Sequence, residues 1–145
     1  MSVIALRPAK EGDVPFLLEL RALALEPHEQ KAGLQPSEER RLERVRAHFE
    51  SGQVIELAGQ PIGVVKVVRL PQQWKLLQLQ VLPQYQGRGI GTDIVLSVLE
   101  QARTANKAVV LTVLKENPAK RLYERVGFKI VGEREHVYEM RVGGR

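Results

Sequence analysis

The sequence predicts an α+β (mixed α/β) fold in which helices flank a central mixed, mostly antiparallel sheet. Three strand patterns follow one another at 53–58, 61–70 and 74–82, and the turns between them are short enough for antiparallel hairpins. An amphipathic helix pattern at 90–102 then leads to the run 108–114, whose apolar character on both faces is typical of a strand buried inside a sheet. This order predicts a βαβ unit, with 108–114 parallel to 74–82.

The remaining elements follow from caps, chain breakers and periodicity. Asp13 offers a cap for a first helix that ends near Leu25, and Ser37 offers a cap for a second helix that Gly52 ends. Asn106 is a candidate left-handed stop for the helix at 90–102. The prediction also includes a strand at 3–7, a loop at 26–36, a short helix with Asn117 as cap and Pro118 as first residue that ends at Gly127, and a last strand from about Val137 to Val142.

Length and composition limit the function classes. The chain has 145 residues, the size of one ordinary domain, and no linker or repeat divides it, so we expect a single domain over 1–145. It has no cysteine, and its three histidines (His28, His48 and His136) lack zinc-site spacing, so no metal is predicted. No apolar run approaches the ~20 residues that span a bilayer, and the start lacks a secretory signal, which predicts a cytoplasmic protein without a membrane segment.

The formal net charge of +5 suits an anionic partner, which could be a nucleic acid, a phosphorylated cofactor or an acidic substrate. The basic residues are spread among glutamates, and no Lys/Arg block alternates with aromatic residues. This pattern argues against a dedicated nucleic-acid surface. The arginines at 40, 41, 44 and 46 are expected on a solvated helix face, although arginines near an acceptor site would suit an anionic substrate.

A glycine-rich turn stands between the third strand pattern and the helix at 90–102. Gly87, Gly89 and Gly91 let the backbone approach an anion closely, the free N–H groups and the helix dipole favour one there, and Arg88 adds charge. A nucleotide P-loop is excluded, because the residue before Thr92 is Gly91 and not lysine. A dinucleotide fingerprint fails as well, because counting from Gly87 places Thr92 where the last glycine should stand.

Two motifs carry a resemblance to a known family. Residues 86–91 read Gln-Gly-Arg-Gly-Ile-Gly and open the central helix, and residues 117–128 read Asn-Pro-Ala-Lys-Arg-Leu-Tyr-Glu-Arg-Val-Gly-Phe. Together with the order of elements, these motifs resemble the GNAT superfamily of acetyl-CoA-dependent N-acetyltransferases. The motifs lie within 80–128, whereas the acceptor side at 1–60 matches only in outline. The resemblance therefore says more about the cofactor than about the acceptor.

The resemblance implies a site for acetyl-CoA as cosubstrate, with its pantetheine between two splayed parallel strands. Backbone near Val81 would pair with the pantetheine arm and the thioester carbonyl. Asn117 would hydrogen-bond the pantetheine, and it is also a plain helix cap. Tyr123 would protonate the departing thiolate as the catalytic general acid, unless it only packs on the inner helix face. The pyrophosphate would lie on the backbone N–H groups of Gln86, Gly87, Arg88, Gly89, Ile90, Gly91 and Thr92.

The activity implied is transfer of the acetyl group to a primary amine of a small molecule, an amino acid or a peptide, by direct attack in a ternary complex. Some family members carry a glutamate on the central strand, where this chain has Gln78 and Gln80. The proton acceptor is therefore open between Glu26, Glu29, His136 acting through a water, and an amine that binds already neutral.

Two other function classes remain beside the enzyme. One is a sensor domain that binds acetyl-CoA without turnover, and the other is a basic nucleic-acid-binding domain. The resemblance also allows a homodimer. His28 and His48 are expected to be surface residues.

Overall fold

A computed structural model describes residues 3–144 as one seven-stranded sheet with helices on both faces. Strand order along the sheet is β1-β2-β3-β4-β5-β7-β6, and β4 and β5 form its parallel pair while the other neighbours are antiparallel. The mixed, mostly antiparallel sheet predicted from the sequence is thus confirmed. The strands are β1 (Ile4–Pro8), β2 (Gly52–Leu57), β3 (Gln60–Arg69), β4 (Gln73–Val81), β5 (Ala108–Leu114), β6 (Lys129–Glu133) and β7 (Val137–Val142), and the helices are α1 (Val14–Ala24), α2 (Glu26–Lys31), α3 (Glu38–Arg46), α4 (Ile90–Thr104) and α5 (Ala119–Arg125).

Strands β4 and β5 pair only at their beginnings. Residues 73–75 are in register with 108–110, and the pairing stops there. A bulge lies just beyond this point, because Lys66 of β3 stands opposite Gln78 while Val67 stands opposite Leu76, which leaves Leu77 as an extra residue in β4. A bulge bends its strand and disrupts pairing. The bulge therefore accompanies the separation of β4 from β5 and leaves a gap in the sheet.

One face of the sheet is covered by α4 and α5. Ile94, Val95 and Val98 of α4 pack in one buried cluster with Leu111 of β5 and Met140 of β7. Their spacing of three and four residues is the helical periodicity predicted for this segment. This cluster holds the crossover helix of the βαβ unit against the sheet.

The opposite face is covered by α1 and α3. Leu17 and Leu20 of α1 pack with Val45 of α3 and Val64 of β3. Ser37 caps α3 as predicted, since its Oγ accepts a hydrogen bond from the Arg40 N–H at 3.1 Å. Helices on the two faces thus approach the gap from opposite sides.

Three predictions about helix limits were wrong. The loop predicted at 26–36 begins with α2, because Pro27 in a first turn starts a helix as readily as it ends one. Helix α3 stops at Arg46 and does not reach Gly52, because His48 adopts a left-handed conformation with φ of 50°. Asp13 does not cap α1; its carboxylate accepts from the Lys10 N–H at 2.7 Å and pairs with Arg7 at 2.8 Å.

Strand β6 was not predicted at all. It lies at the edge of the sheet, where Ile130 and Val131 are 43% and 63% exposed, so its sequence shows no alternation of apolar and polar residues. The left-handed stop predicted at Asn106 is confirmed by its φ of 57°.

Within residues 3–144, no helix is both long enough and apolar enough to cross a membrane.

Candidate active site

A cleft of about 1170 Å³ passes through the gap between β4 and β5. Side chains from both faces of β4 line it, including Leu79 on the α4 side and Gln78 on the α1 side. We call one part the α4–α5 half. It is formed by the turn at 85–92, helix α5 and the ends of β4 and β5. We call the other part the α1–α3 half. It is formed by helices α1 and α2, the end of α3 with the residues after it, and Lys66, Gln78 and Gln80.

The glycine turn lines the α4–α5 half with unpaired backbone. Within the described chain, none of the N–H groups of residues 87–92 donates to a backbone carbonyl, and the first bond of α4 runs from the Asp93 N–H to Gly89 O. Gly87 and Gly89 have φ of 78° and 82°, and a Cβ on either would meet no described atom within 4 Å. Free donors, a helix N-terminus and open space are what an anion needs in order to approach the backbone.

Gly91 is a glycine for a different reason. A Cβ at this position would lie 3.3 Å from Leu122 Cδ1, so the missing side chain lets the first turn of α4 pack against α5. Gln86, Ile90 and Thr92 also line the cleft, but the Gln86 N–H donates to Pro83 O at 3.2 Å and so does not join the free N–H groups as predicted.

The end of β4 offers unpaired backbone to the same half. The Leu82 N–H donates to Ile62 O at 2.8 Å, and residues alternate along an antiparallel ladder, so Leu79 and Val81 direct their N–H and C=O groups away from β3 and toward the gap. The side chain of Gln86 occupies one of these groups, since its Nε2 donates to Val81 O at 2.9 Å. The Val81 N–H and both groups of Leu79 remain available to a ligand.

Arg88 does not line the cleft. Its Nη2 donates to Gln84 O at 3.2 Å, and its guanidinium carbon lies 5.1 Å from the centre of the Tyr85 ring. Arg121 and Arg125 of α5 line the α4–α5 half instead. Both belong to the motif at 117–128, where a spacing of four residues places two side chains on one side of a helix.

Tyr123 lines the cleft from the inner side of α5, and only 6% of it is exposed. Its ring meets Phe128 edge to face, with centroids 5.6 Å apart. Burial raises the pKa of Tyr123 to about 12, so the phenol is protonated at neutral pH. Its hydroxyl makes no hydrogen bond to another described residue, although its ring packs firmly in the core.

Asn117 acts as a cap at the start of α5. Its Oδ1 accepts a hydrogen bond from the Ala119 N–H at 2.9 Å, which leaves its amide NH₂ free to act as a donor in the cleft.

Two of the proton acceptors considered from the sequence line the cleft. Glu29 lies in the α1–α3 half, whereas His136 lies in the turn between β6 and β7, where its Nε2 is 3.6 Å from Oε1 of Glu135, which also lines the cleft. Glu26 does not line it, because its buried carboxylate forms two hydrogen bonds with Arg41, at 2.6 and 2.7 Å.

Of the two histidines expected on the surface, His48 is exposed and His28 is partly buried, and both line the cleft. Burial lowers the pKa of His28, and its Nδ1 is buried without a hydrogen-bond partner among the described residues. Across residues 3–144, no group of three or more His, Asp or Glu side chains is arranged to hold a metal ion.

Lys66 is a buried cation that was not singled out from the sequence. It is 4% exposed, and its Nζ donates to the carbonyl oxygens at the end of α3, at 2.6 Å from Ala47, 3.3 Å from Val45 and 3.4 Å from Arg44. A lysine there complements the negative end of the helix. Burial, with the nearby charge of Arg21, lowers the pKa of Lys66 to about 8. The only signal in the sequence is a lysine within the apolar run Val64-Val65-Lys66-Val67-Val68.

Known proteins resemble this chain in sequence and in fold. The protein-family model described as acetyltransferase (GNAT) domain matches residues 48–130. The PaiA N-acetyltransferase of Thermoplasma acidophilum, solved in complex with coenzyme A, is 17% identical with a TM-score of 0.77, and the match covers 97% of this chain and 99% of that one. An acetyltransferase of Thermus thermophilus is 20% identical with a TM-score of 0.77 and 99% coverage of both chains.

A third solved structure is N-acetylglutamate synthase of Neisseria gonorrhoeae, complexed with coenzyme A and N-acetylglutamate. It is 18% identical with a TM-score of 0.71, and the match covers all of this chain but 36% of that one. Identities at this level show a shared fold. No curated protein matches the sequence.

Proposed function

The chain belongs to the GNAT acetyltransferase family, and from that premise we propose that it transfers the acetyl group of acetyl-CoA to a primary amine of a small molecule, an amino acid or a peptide. The observation that carries the proposal is the row of free N–H groups at residues 87–92, at the mouth of a cleft that passes through the sheet. Such donors suit a pyrophosphate, because each charge-assisted hydrogen bond is about twice as strong as a neutral one.

The α4–α5 half offers groups for the pyrophosphate and for the pantetheine arm of acetyl-CoA. The N–H groups of residues 87–92 would hold the pyrophosphate, with Arg121 and Arg125 adding positive charge. The free backbone groups of Leu79 and Val81 would pair with the pantetheine arm as a neighbouring strand would, and the Asn117 amide would donate to it. Arg88 would contribute its backbone N–H rather than its guanidinium.

The reaction would be direct attack in a ternary complex. The amine nitrogen forms a bond to the thioester carbonyl carbon, the C–S bond breaks, and the electron pair leaves with the sulfur. The Tyr123 phenol would donate its proton to the departing thiolate, while Glu29, or His136 through a water, would take the proton that the amine loses. Holding the reactants together can contribute roughly 7–11 kcal/mol, whereas a general acid adds about 10²- to 10⁴-fold.

Gly89→Glu tests the pyrophosphate site. The new carboxylate would stand at the N-terminus of α4, where it would repel and obstruct the ligand. We expect affinity for CoA to fall at least about 100-fold, a loss typical of an unpaired or repelled charge in a binding site, measured by isothermal titration calorimetry.

Gly59→Glu is the matched control. Gly59 lies in the β2–β3 turn with the same φ of 82°, and a Cβ there likewise meets no described atom within 4 Å. Both variants therefore carry the same backbone strain, and only Gly89→Glu should lose CoA. Unchanged affinity in Gly89→Glu, or an equal loss in both variants, contradicts the site.

Turnover separates the enzyme from a sensor that binds acetyl-CoA without reaction. Release of free thiol should accelerate when amines are added to the protein with acetyl-CoA. Tight CoA binding with no thiol release across a broad amine panel would favour the sensor. A cytoplasmic location and a homodimer, both expected from the sequence, stay predictions.

A further inference from the structure

Arg21 supplies hydrogen-bond donors that nothing in the described protein accepts. It lies on the buried face of α1 beside Leu17 and Leu20, is 8% exposed, and lines the α1–α3 half of the cleft. A guanidinium carries five N–H donors, and Arg21 makes no hydrogen bond to any residue in the range 3–144. These donors are open to the cleft, since no Arg21 nitrogen is among the buried atoms of the described chain that lack a partner. A ligand that brings acceptors into the cleft would satisfy them.

The ion pair of Arg21 with Glu29 does not meet this need. Arg21 Nη2 lies 3.5 Å from Glu29 Oε2, beyond the usual range of a charge-assisted hydrogen bond. By contrast, the neighbouring Arg41–Glu26 pair is closed by two hydrogen bonds of 2.6 and 2.7 Å. The Arg21–Glu29 pair is open by comparison, and Arg21 lines the cleft.

The charges around Arg21 favour an anion. Arg44 and Lys66 also line the α1–α3 half, and Glu29 is the one carboxylate that this half presents among the described residues. The Lys66 Nζ already donates to three carbonyl oxygens, so it contributes charge rather than a free donor. The planar fork of Arg21 is therefore the group placed to bind a carboxylate through two parallel hydrogen bonds.

We propose that the acceptor is a small amine that also carries a carboxylate, and that Arg21 binds this carboxylate in the α1–α3 half. The inference rests on the proposed function and narrows its acceptor to the amino-acid class. Arg21 is then a specificity-determining residue. It orients the amine toward the thioester from the side of the sheet opposite α4.

Matched substrates test the proposal directly. Amino acids and the corresponding amino-acid amides differ in one carboxylate, and aminoalkylphosphonates replace it by another anion. We expect the wild-type protein to acetylate the acids with kcat/KM about 100-fold above the amides, which is typical of losing one partner of a buried charge pair. Amine basicity differs between the series, so the deciding quantity is the change of this ratio between variants.

Arg21→Met should reduce the preference to within about threefold, mainly through a higher KM for the acids, with little change for the amides. Arg21→Lys keeps the charge without the fork and should fall between the two. Arg40→Met is the matched control, because Arg40 is an exposed arginine that does not line the cleft, and it should keep the full preference. Melting temperature and CoA affinity verify that each variant is folded.

Two kinetic outcomes would overturn the inference while leaving acetyl transfer intact: an acid-to-amide ratio of kcat/KM that Arg21→Met leaves unchanged, or higher wild-type activity toward phosphonates than toward carboxylates. If Arg40→Met lost the preference for acids equally, the preference would come from the overall positive field and not from a contact with Arg21.

A binding measurement needs no turnover at all. N-acetylglycine, but not N-acetylglycinamide, should raise the melting temperature of the CoA complex, and Arg21→Met should abolish the difference. If no amine is acetylated although CoA binds, the proposed function fails, and the N-acetylglycine arm still supports or refutes the anion site.

Discussion

Tyr123 combines a packed ring with a hydroxyl that no described residue binds. The ring is held by Phe128, whereas the oxygen is left for the cleft. Removing the hydroxyl alone should therefore separate chemistry from packing. The raised pKa of the phenol, about 12, keeps the proton on the oxygen across the pH range in which an amine can attack.

Tyr123→Phe should slow the reaction without stopping it. We expect kcat to fall by about 10²- to 10⁴-fold, the usual contribution of a general acid, with the KM for acetyl-CoA and the melting temperature little changed. Steady-state kinetics with a good amine substrate measures both constants. Acetylation at the wild-type rate would show that Tyr123 only packs.

Lys66 should make stability depend on pH in the alkaline range. Its folded pKa, about 8, lies below the ordinary value of 10.5, so between these values the unfolded chain binds more protons than the folded chain. Stability contributed by this residue is therefore lowest below pH 8 and rises as the pH increases toward 10.5. The span of about 2.5 pKa units corresponds to roughly 3 kcal/mol.

The measurement compares wild type with Lys66→Met by urea unfolding at several pH values from 7 to 10.5. We expect the wild type to gain up to about 3 kcal/mol relative to the variant over this range. Lys75→Met, at an exposed position on β4, is the control for the loss of a lysine. A difference between wild type and Lys66→Met that stays flat with pH would rule out a perturbed lysine.

The roles of some residues that act on their immediate chain neighbours could be predicted from the sequence. Ser37 and Asn106 are examples, because a cap and a left-handed stop depend on a few neighbouring residues. Arg88, Lys66 and His28 could not be placed, since the direction of a long side chain depends on which elements pack around it. Arg88 turns to Tyr85, and Lys66 reaches the end of a helix about twenty residues earlier in the chain.

At the scale of elements, the close approach of β3 to β4 shapes the cleft. A Cβ on Gly63 would lie 2.3 Å from Gln80 O and 3.2 Å from Val81 Cα, both backbone atoms. No side-chain rotation can relieve such contacts, so a larger residue must push the end of β4 out of place. Val81 is the residue expected to meet the pantetheine arm.

Gly63→Ala should therefore destabilise the fold and weaken the cofactor site together. We expect a loss of about 2–3 kcal/mol in the free energy of unfolding, as for an overpacked core, and a higher KM for acetyl-CoA. Gly12→Ala is the control, because a Cβ there meets no described atom within 4 Å. Equal stability of the two variants in urea unfolding would show that β4 adapts without cost.

Helices and strands could be predicted where their own residues show helical periodicity, strand alternation or an apolar run. Helix α4 and strands β5 and β7 follow from periodicity or from a run of apolar residues, and the structure confirms them. Strand β6 and helix α2 were missed because an exposed edge strand has no apolar alternation and because Pro27 reads equally as a break or a start. The bulge at Leu77 is set by the pairing of two strands, which neither strand's sequence reveals alone.

At the scale of the whole molecule, the short pairing of β4 with β5 divides the sheet into two parts. Strands β1 to β4 form one part and β5, β7 and β6 the other, and three register pairs join them across the seam, with α4 as the covalent crossover. The proposed ternary complex uses both parts, because Arg21 and Glu29 stand on the first and Asn117 and Tyr123 follow the second.

Because so few backbone hydrogen bonds join β4 to β5, we expect the unliganded protein to be flexible beside the proposed site. CoA lying in the gap would make backbone hydrogen bonds that β4 and β5 do not make with each other. Amide hydrogen exchange at residues 74–76 and 109–111 should therefore slow when CoA is added, while exchange along the β1–β2 pairing stays the same. Equal exchange with and without CoA would mean that the seam is already rigid. If it is soft, the resistance of this protein to cellular proteases rises and falls with the supply of its own acyl donor.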